Sequence, residues 1–472
     1  MKKKYEYTMN ENKAFKSGVW FTASNFIMKS IGLITTPIFT RMMSKAQFGD
    51  FSNFQTWLMI LLYICSLDLE ASLIRAVYDF REDIDRYVHS LVALSMLSTG
   101  LFWIISVIFR PLFTSAFSMD SIYVDCMFIY LLFCPAVNIF QNAERFKYKY
   151  KWTVASSLTI SVGASLLSVM LVLIMHDKLM GRVIGYIIPT VAIGFIISAY
   201  YFIKAKPVNL RYWKYALPIT LPYIPHLLSM YLLSNMDRVM IKRFCGAEFV
   251  ALYSLAYTCG MIITILVTSI NSAYSPWLAE KLNNKEYDNI KKVSLPYVQV
   301  FSYVAFGAVL VTPEILYILG GEPYLEAKYV MPPVAAGCLL QFVYCMYVNI
   351  EQYEKKTVGM AMASVVAAGL NFVLNFISIQ KYGYIAAAYT TYAGYFTLLV
   401  MHMWFVKKLG MNFVYKNVAI FLTSTIASVL IFLTNFLLDQ TIIRYSVLAV
   451  YMIVAIALII KNRELIIMII HR

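Results

Sequence analysis

Fourteen apolar segments, most about the length of one membrane span, follow one another along this chain with short polar connections between them. They lie near residues 17–39, 51–70, 88–109, 122–143, 153–175, 182–203 and 214–236, then 249–273, 295–319, 329–350, 357–379, 383–406, 417–437 and 444–460. The hydrocarbon core of a bilayer takes about 20 residues of helix. Inside it every backbone polar group must be satisfied within the protein, so segments of this length are expected to be helices rather than open strands. The expected fold class is therefore an all-α polytopic membrane protein with about 14 transmembrane helices. Composition agrees: 60% of the 472 residues are hydrophobic and 14% are charged, where a soluble domain carries about 25% charged residues. No cleavable signal peptide is expected, because residues 1–16 are polar and basic and the first apolar run is already span length. The seven cysteines are scattered, mostly within apolar runs, and form no CxxC or Cys/His cluster. They read as small buried hydrophobes, so neither a metal nor another cofactor is expected.

Basic residues orient the spans. Lys2, Lys3, Lys4, Lys13 and Lys16 precede the first one, and every second connection after it is also rich in Lys and Arg. Examples are Arg145–Lys151, Lys204–Lys214, Lys281–Lys292, Lys355–Lys356 and Lys407–Lys416. The positive-inside rule then places both termini in the cytoplasm. The net charge of +15 follows from that bias, with some affinity for anionic headgroups, and calls for no nucleic-acid partner.

The chain also resembles itself at an offset of about 200 residues. Lys151-Trp152-Thr153-Val154 opens the fifth span and Lys355-Lys356-Thr357-Val358 the eleventh. The spans that follow begin at Gly181 and Gly383, and Phe48–Ser52 corresponds to Val250–Ser254. A shift of six spans keeps orientation, so two pseudo-symmetric six-helix lobes are expected as a parallel repeat, a common transporter plan. The expected boundaries are 1–206 for the first lobe, 207–410 for the second, and 411–472 for two appended helices and a cytoplasmic tail.

Polar residues inside the spans are the candidates for function. Lys29 lies near the middle of the first span, where a lysine costs about 2.5–3.5 kcal/mol on insertion scales. Asn25 and Thr36 fall on the same helical stripe. Such a stripe suits a lumen that handles an anion; the alternative is a lysine paired to a neighbouring helix or reaching one interface. At the end of the second span, Asp68, Ser72, Arg75 and Asp79 are spaced to share a face. Arg75 is placed to meet a phosphate there, or simply to pair with an aspartate. Asn138, Gln141 and Arg145 share a face at the end of the fourth span. Pro218, Pro222 and Pro225 predict a bent seventh span, with His226 beside the bend as a proton site or a hydrogen-bonded core histidine. Asn371, Asn375, Gln341 and Asn349 are expected to join helices. No hydrolase, nucleotide-binding or zinc motif is present, so enzymatic activity is not expected.

Other stretches resemble a known family. Asp237-Arg238 is followed by Gly246 and Leu252-Tyr253-Ser254-Leu255-Ala256-Tyr257; Leu69-Glu70-Ala71-Ser72 is followed by Arg75. Pro313-Glu314-Ile315-Leu316 precedes Gly320 and Tyr324-Leu325-Glu326-Ala327, and Gly383–Ala388 follows Lys355-Lys356-Thr357. In order and spacing these resemble the Wzx-type polysaccharide flippases of the multidrug/oligosaccharidyl-lipid/polysaccharide exporter superfamily, over nearly the whole chain. The resemblance implies two six-helix lobes around a cationic cavity and two terminal helices. It implies translocation of undecaprenyl-diphosphate-linked oligosaccharide, for O-antigen, capsule or exopolysaccharide, across the bacterial cytoplasmic membrane. The substrate-binding candidates are then Lys29, Asn25, Thr36, Arg75 and Arg145; Asp68, His226, Asp237 and Arg238 are candidates for ion coupling or gating. Partners would be the lipid-linked oligosaccharide, the bilayer, and a polysaccharide polymerase with its chain-length machinery. The alternatives are a lipid II-type flippase, a MATE-like cation/drug antiporter, which would want acidic lumen residues, and an integral-membrane polymerase, which would want a long catalytic outer loop.

Overall fold

The computed structural model describes residues 11–147, 150–204 and 207–461, and among them there is no strand. The chain forms α1 (Glu11–Met42), α2 (Lys45–Cys65), α3 (Leu73–Asp79), α4 (Ile84–Ile108), α5 (Arg110–Phe117) and α6 (Ser121–Phe146). These are followed by α7 (Tyr150–Ile174), α8 (Lys178–Lys204), α9 (Leu210–Thr220), α10 (Ile224–Phe244), α11 (Ala247–Asn283) and α12 (Tyr287–Leu310). The last six are α13 (Thr312–Gly320), α14 (Met331–Tyr353), α15 (Thr357–Tyr382), α16 (Ala386–Lys408), α17 (Asn417–Leu433) and α18 (Thr441–Lys461). Among the described residues nine helices are long and apolar enough to cross a membrane, and eleven if the two bent pairs each count as one span. With α1, α16 and α18 the set accounts for about fourteen spans, and the protein is a multi-pass membrane protein. Its exposed side chains include Ile34, Leu166, Leu173, Ile203, Ile377 and Val418, the apolar exterior that lipid requires.

Three spans depart from straight helices. The second breaks after α2: Leu67 and Asp68 both have left-handed φ, 55° and 47°, a 3-10 turn runs Leu69–Ser72, and α3 leaves at 49° to α2. The expected shared face of Asp68, Ser72, Arg75 and Asp79 is therefore not formed, because Asp68 lies in the break and not on the helix carrying Arg75 and Asp79. The seventh span bends by 50° between α9 and α10, as its three prolines predict. The ninth span ends at Leu310 rather than near 319, and Pro313 starts the separate helix α13.

By its internal contacts the chain divides into Met1–Ala251 and Leu252–Arg472. In the first unit α8 packs on α7 and α6, α6 on α4, and α1 on α7. Gly181 and Gly185 set the close approach of α8 to α7: a Cβ at Gly185 would lie 2.3 Å from the Ser168 Cα. This is the small-residue packing expected where lipid gives no hydrophobic drive to associate. In the second unit the same order recurs, α16 on α15 and α14, and α14 on α12. Even the short helices correspond, α5 after α4 and α13 after α12, each with proline near its start. The second span and α11 differ, however: α11 runs unbroken for 37 residues where the second span is interrupted at Asp68. Gly246, at φ 107°, makes the turn between α10 and α11 that a side chain would strain.

Candidate functional site

A cavity of about 420 Å³ opens inside the first unit among α1, α6, α7 and α8. Its α6 wall is one helical face: Tyr130, Cys134, Val137, Gln141 and Arg145 recur at intervals of three or four, flanked by Asn138 and Asn142. Thr153, Ser157 and Ser161 face it from α7, Ser24 and Met28 from α1, and Thr190 from α8. The polar groups are tied into the helices. Gln141 Nε2 donates to Ser156 Oγ at 3.0 Å, Asn142 Nδ2 to the Asn138 carbonyl at 3.1 Å, and Thr153 Oγ1 to the Gln141 carbonyl at 3.3 Å. Behind the wall, Asn138 Nδ2 donates to Glu70 Oε1 at 3.4 Å, while Glu70 Oε2 has no partner.

Electrostatically the cavity has one guanidinium, Arg145, and no acidic side chain among its described lining residues. Of two nearby acids, Glu70 lies behind Asn138, and Glu144 is neutralised by Lys147, whose Nζ lies 3.2 Å from Glu144 and 3.1 Å from Asp85. Lys147 follows α6, outside the span. Burial works to lower its pKa, but the two carboxylates outweigh that and raise it. The arrangement is a set of carboxamides and hydroxyls with one fixed positive charge. It can accept and donate hydrogen bonds to a polyhydroxylated ligand and pair with an anion.

The sequence-derived candidates separate in the structure. Arg145 lines the cavity with Asn138 and Gln141. The side chains of Asn25 and Lys29 lie outside the described residues. Thr36 is buried, and its hydroxyl donates to the Gly32 carbonyl at 2.7 Å; it does not line the cavity. Arg75 is exposed and pairs with Asp79 at 3.2 Å, and Asp79 also accepts from Tyr215 Oη at 2.7 Å. That pair fastens α3 to α9, alongside Tyr212 Oη on Asp83 and Trp213 Nε1 on the Ser90 carbonyl. Asp68 is buried with Oδ2 unpartnered. His226 sits at the first turn of α10 with its Nδ1 buried and unpartnered, its ring 5.6 Å from that of Tyr223. Asp237 is fully buried, and Arg238 donates to Asn235 Oδ1 at 2.8 Å. In the second unit Asn371 donates to Thr391, Thr390 donates to Asn375, and Asn349 donates to Asn271, each bond joining two helices as expected, while Asn375 also donates to Asn371 within α15. The hydroxyls of α7 and Thr190 of α8 were missed; Ser and Thr inside apolar runs carry no signal until the neighbouring helix is known.

Residues 14–281 match the family model described as polysaccharide biosynthesis protein, and residues 222–377 match the MatE model. The chain is similar to the Lsg locus protein 1 of Haemophilus influenzae, at 22% identity over 81% of this chain and 94% of that protein. A probable low-salt glycan biosynthesis flippase of Haloferax volcanii, Agl15, matches at 24% identity over 40% of this chain and 41% of its own. In structure the chain resembles the lipid II flippase MurJ in an inward closed conformation, with a TM-score of 0.71 at 14% identity, covering 95% of this chain and all of MurJ. It also resembles an inward-facing multidrug resistance MATE transporter, with a TM-score of 0.59 at 13% identity over 81% of this chain and 94% of the transporter. The match to the polysaccharide model covers more than half of the sequence and the fold is that of MurJ and MATE transporters: the chain belongs to the polysaccharide biosynthesis protein family, within the multidrug/oligosaccharidyl-lipid/polysaccharide exporter superfamily.

Proposed function

We propose that this protein flips undecaprenyl-diphosphate-linked oligosaccharide repeat units from the inner to the outer leaflet of the bacterial cytoplasmic membrane by alternating access, with both termini in the cytoplasm. The observation that carries the reading is the α6 wall, where Asn138, Gln141, Asn142 and Arg145 line one cavity. A diphosphate costs several kcal/mol per charge in hydrocarbon, and each sugar hydroxyl is expensive to bury unpaired. A guanidinium beside carboxamides lowers both costs. The volume lies within the roughly 300–1,000 Å³ of small-molecule sites, enough for part of a headgroup and not for a whole repeat unit. Lys29, with Asn25 on the polar stripe of α1 read from the sequence, is proposed to meet the diphosphate. Moving about two negative charges outward down a 100 mV inside-negative potential releases roughly 4–5 kcal/mol, which gives the transport a direction. O-antigen, capsule and exopolysaccharide units all fit this chemistry, and a polymerase would consume the product outside.

The antiporter reading asks for acids where the substrate sits, and the described lining has none. The test is transbilayer movement in proteoliposomes. The purified protein should accelerate movement of a polyprenyl-diphosphate-linked oligosaccharide over protein-free vesicles, and Arg145→Ala should slow it. Acceleration of lipid II alone would move the assignment to a lipid II flippase. Acceleration of neither lipid would overturn the proposal.

A further inference from the structure

The second unit buries a histidine–carboxylate pair that no sequence motif announces. His402 Nδ1 on α16 lies 2.6 Å from Glu351 Oε1 on α14, and the two side chains are 3% and 1% exposed. Glu351 Oε2 is buried without a partner. The Tyr344 ring stacks on the imidazole at 5.7 Å, and Tyr395 stacks on Tyr344. The internal repeat sharpens the meaning of the pair. Asn142-Ala143-Glu144 near the end of α6 corresponds to Asn349-Ile350-Glu351 near the end of α14. In the first unit the glutamate is held by the permanent cation Lys147; in the second its counter-charge is an imidazole, which can gain or lose a proton near neutral pH.

We infer that Glu351 and His402 form a proton-binding site, and that its proton is the ion coupled to transport. This coupling role rests on the transporter reading above; the proton site itself does not. One proton, shared between His402 Nδ1 and Glu351 Oε1, makes the pair neutral overall. Its departure to water leaves a net charge of −1 in a site where, among the described residues, no other cation forms an ion pair with Glu351 or His402. The ion pairs of the surrounding elements do not reach it. Lys291 on α12 pairs with Asp288, and Lys281 on α11 with Glu280 and Glu286. Lys292 on α12, Lys381 on α15, Lys407 and Lys408 on α16, Lys355, Lys356 and Glu354 after α14, and Lys416 before α17 make no described ion pair with either residue. Glu322, Glu326 and Lys328 precede α14 at its opposite end. Among the described residues Tyr344 is a titratable neighbour in ring contact with His402. A buried lone carboxylate is strongly disfavoured, so the deprotonated form favours a state in which α14 and α16 part enough to admit water. A conformation that binds the two protonation states unequally is coupled to the proton by that difference.

The experiment uses the full chain in nanodiscs, with histidines labelled for nuclear magnetic resonance. Of five imidazoles, the one missing in His402→Gln is assigned to His402. Recorded across a range of pH, its signal should change in the wild type, and Glu351→Gln should alter that response. In proteoliposomes a gradient of about one pH unit should change the steady-state distribution of flipped lipid by about tenfold for one coupled proton. Glu351→Gln and His402→Gln, which keep volume and hydrogen-bonding groups, should abolish that gradient dependence. A His402 signal fixed in one state across the range overturns the site. Flipping that ignores the gradient in the wild type overturns the coupling. Absence of flipping in the wild type fails the transport reading, while the resonance still decides whether the proton site exists.

Discussion

Glu314→Gln should loosen the junction of α13 and α18, and the structure gives the size of the effect. Arg444, only 3% exposed, donates to the Leu310 carbonyl at 2.6 Å and to both Glu314 oxygens at 2.7 and 2.6 Å, and Tyr445 Oη adds a 2.6 Å bond to Glu314 Oε1. Removing one partner of a buried pair costs about 3–5 kcal/mol. The Glu314 side chain is 36% exposed, so water takes over part of its role and about 2 kcal/mol is expected. Arg444 holds the Glu314 carboxyl down to about 2 from its ordinary 4.5, against the opposing effect of burial. A depressed carboxyl stabilises the junction above the ordinary value and loses that effect as pH falls from about 4.5 toward 2. Hydrogen exchange of peptides covering 310–320 and 441–447 reads the opening directly. At neutral pH the variant should exchange about thirtyfold faster, the equivalent of 2 kcal/mol. After correction for intrinsic rates, less than about half of the free-energy difference should survive near pH 3. Equal exchange at neutral pH, or a difference that does not narrow with acid, would refute the reasoning.

Other consequences are equally direct. Arg145→Ala should slow flipping of a diphosphate-linked oligosaccharide about ten- to a hundredfold, the loss of one charge-assisted hydrogen bond, with normal protein levels on an immunoblot. Lys29→Ala should abolish export while leaving the protein inserted, and Lys29→Arg should keep part of it because charge is kept and geometry is not. Gly185→Leu should cut the yield of folded protein, since even a Cβ meets the α7 backbone at 2.3 Å and overpacking costs about 1–3 kcal/mol or more; monodispersity on a sizing column reads this. A single cysteine at Asn412 should react with membrane-impermeant maleimide only from the cytoplasmic side.

Legibility followed the physics of each feature. Span count and class were open in the sequence because hydrocarbon imposes one length and one backbone solution. The bend of the seventh span was open because proline removes a donor. The break of the second span was hidden: Leu67 and Asp68 have no proline or glycine beside them, and their left-handed conformation depends on packing around α9 and the following turn. Arg145 with Asn138 and Gln141 could be found because amides and a guanidinium on one face are rare in an apolar run. The opposite wall, Ser157, Ser161 and Thr190, could not, because small hydroxylated residues also serve as plain packing surfaces.

The same reasoning explains why Glu351 and His402 escaped notice while Lys29 did not. A lone charge at mid-span is conspicuous in one dimension. A pair is conspicuous only when two segments 51 residues apart are brought within 2.6 Å, and each member read singly passes for an ordinary span-end residue. The internal repeat supplies the missing dimension. Superposing Asn142-x-Glu144 on Asn349-x-Glu351 turns an unremarked glutamate into one whose partner differs in kind between the two copies. A fixed cation at the first position and a titratable ring at the second break the symmetry in chemistry, whereas the helix-packing order is kept. If the fold asked only that these carboxylates be neutralised, lysine would serve at both. The prediction that follows is an exchange: His402→Lys should leave the protein folded and its Glu351 paired. It should hold the flipping rate constant across pH where the wild-type rate varies. A lysine variant that keeps the wild-type pH profile would show that the pair is structural cement and nothing more.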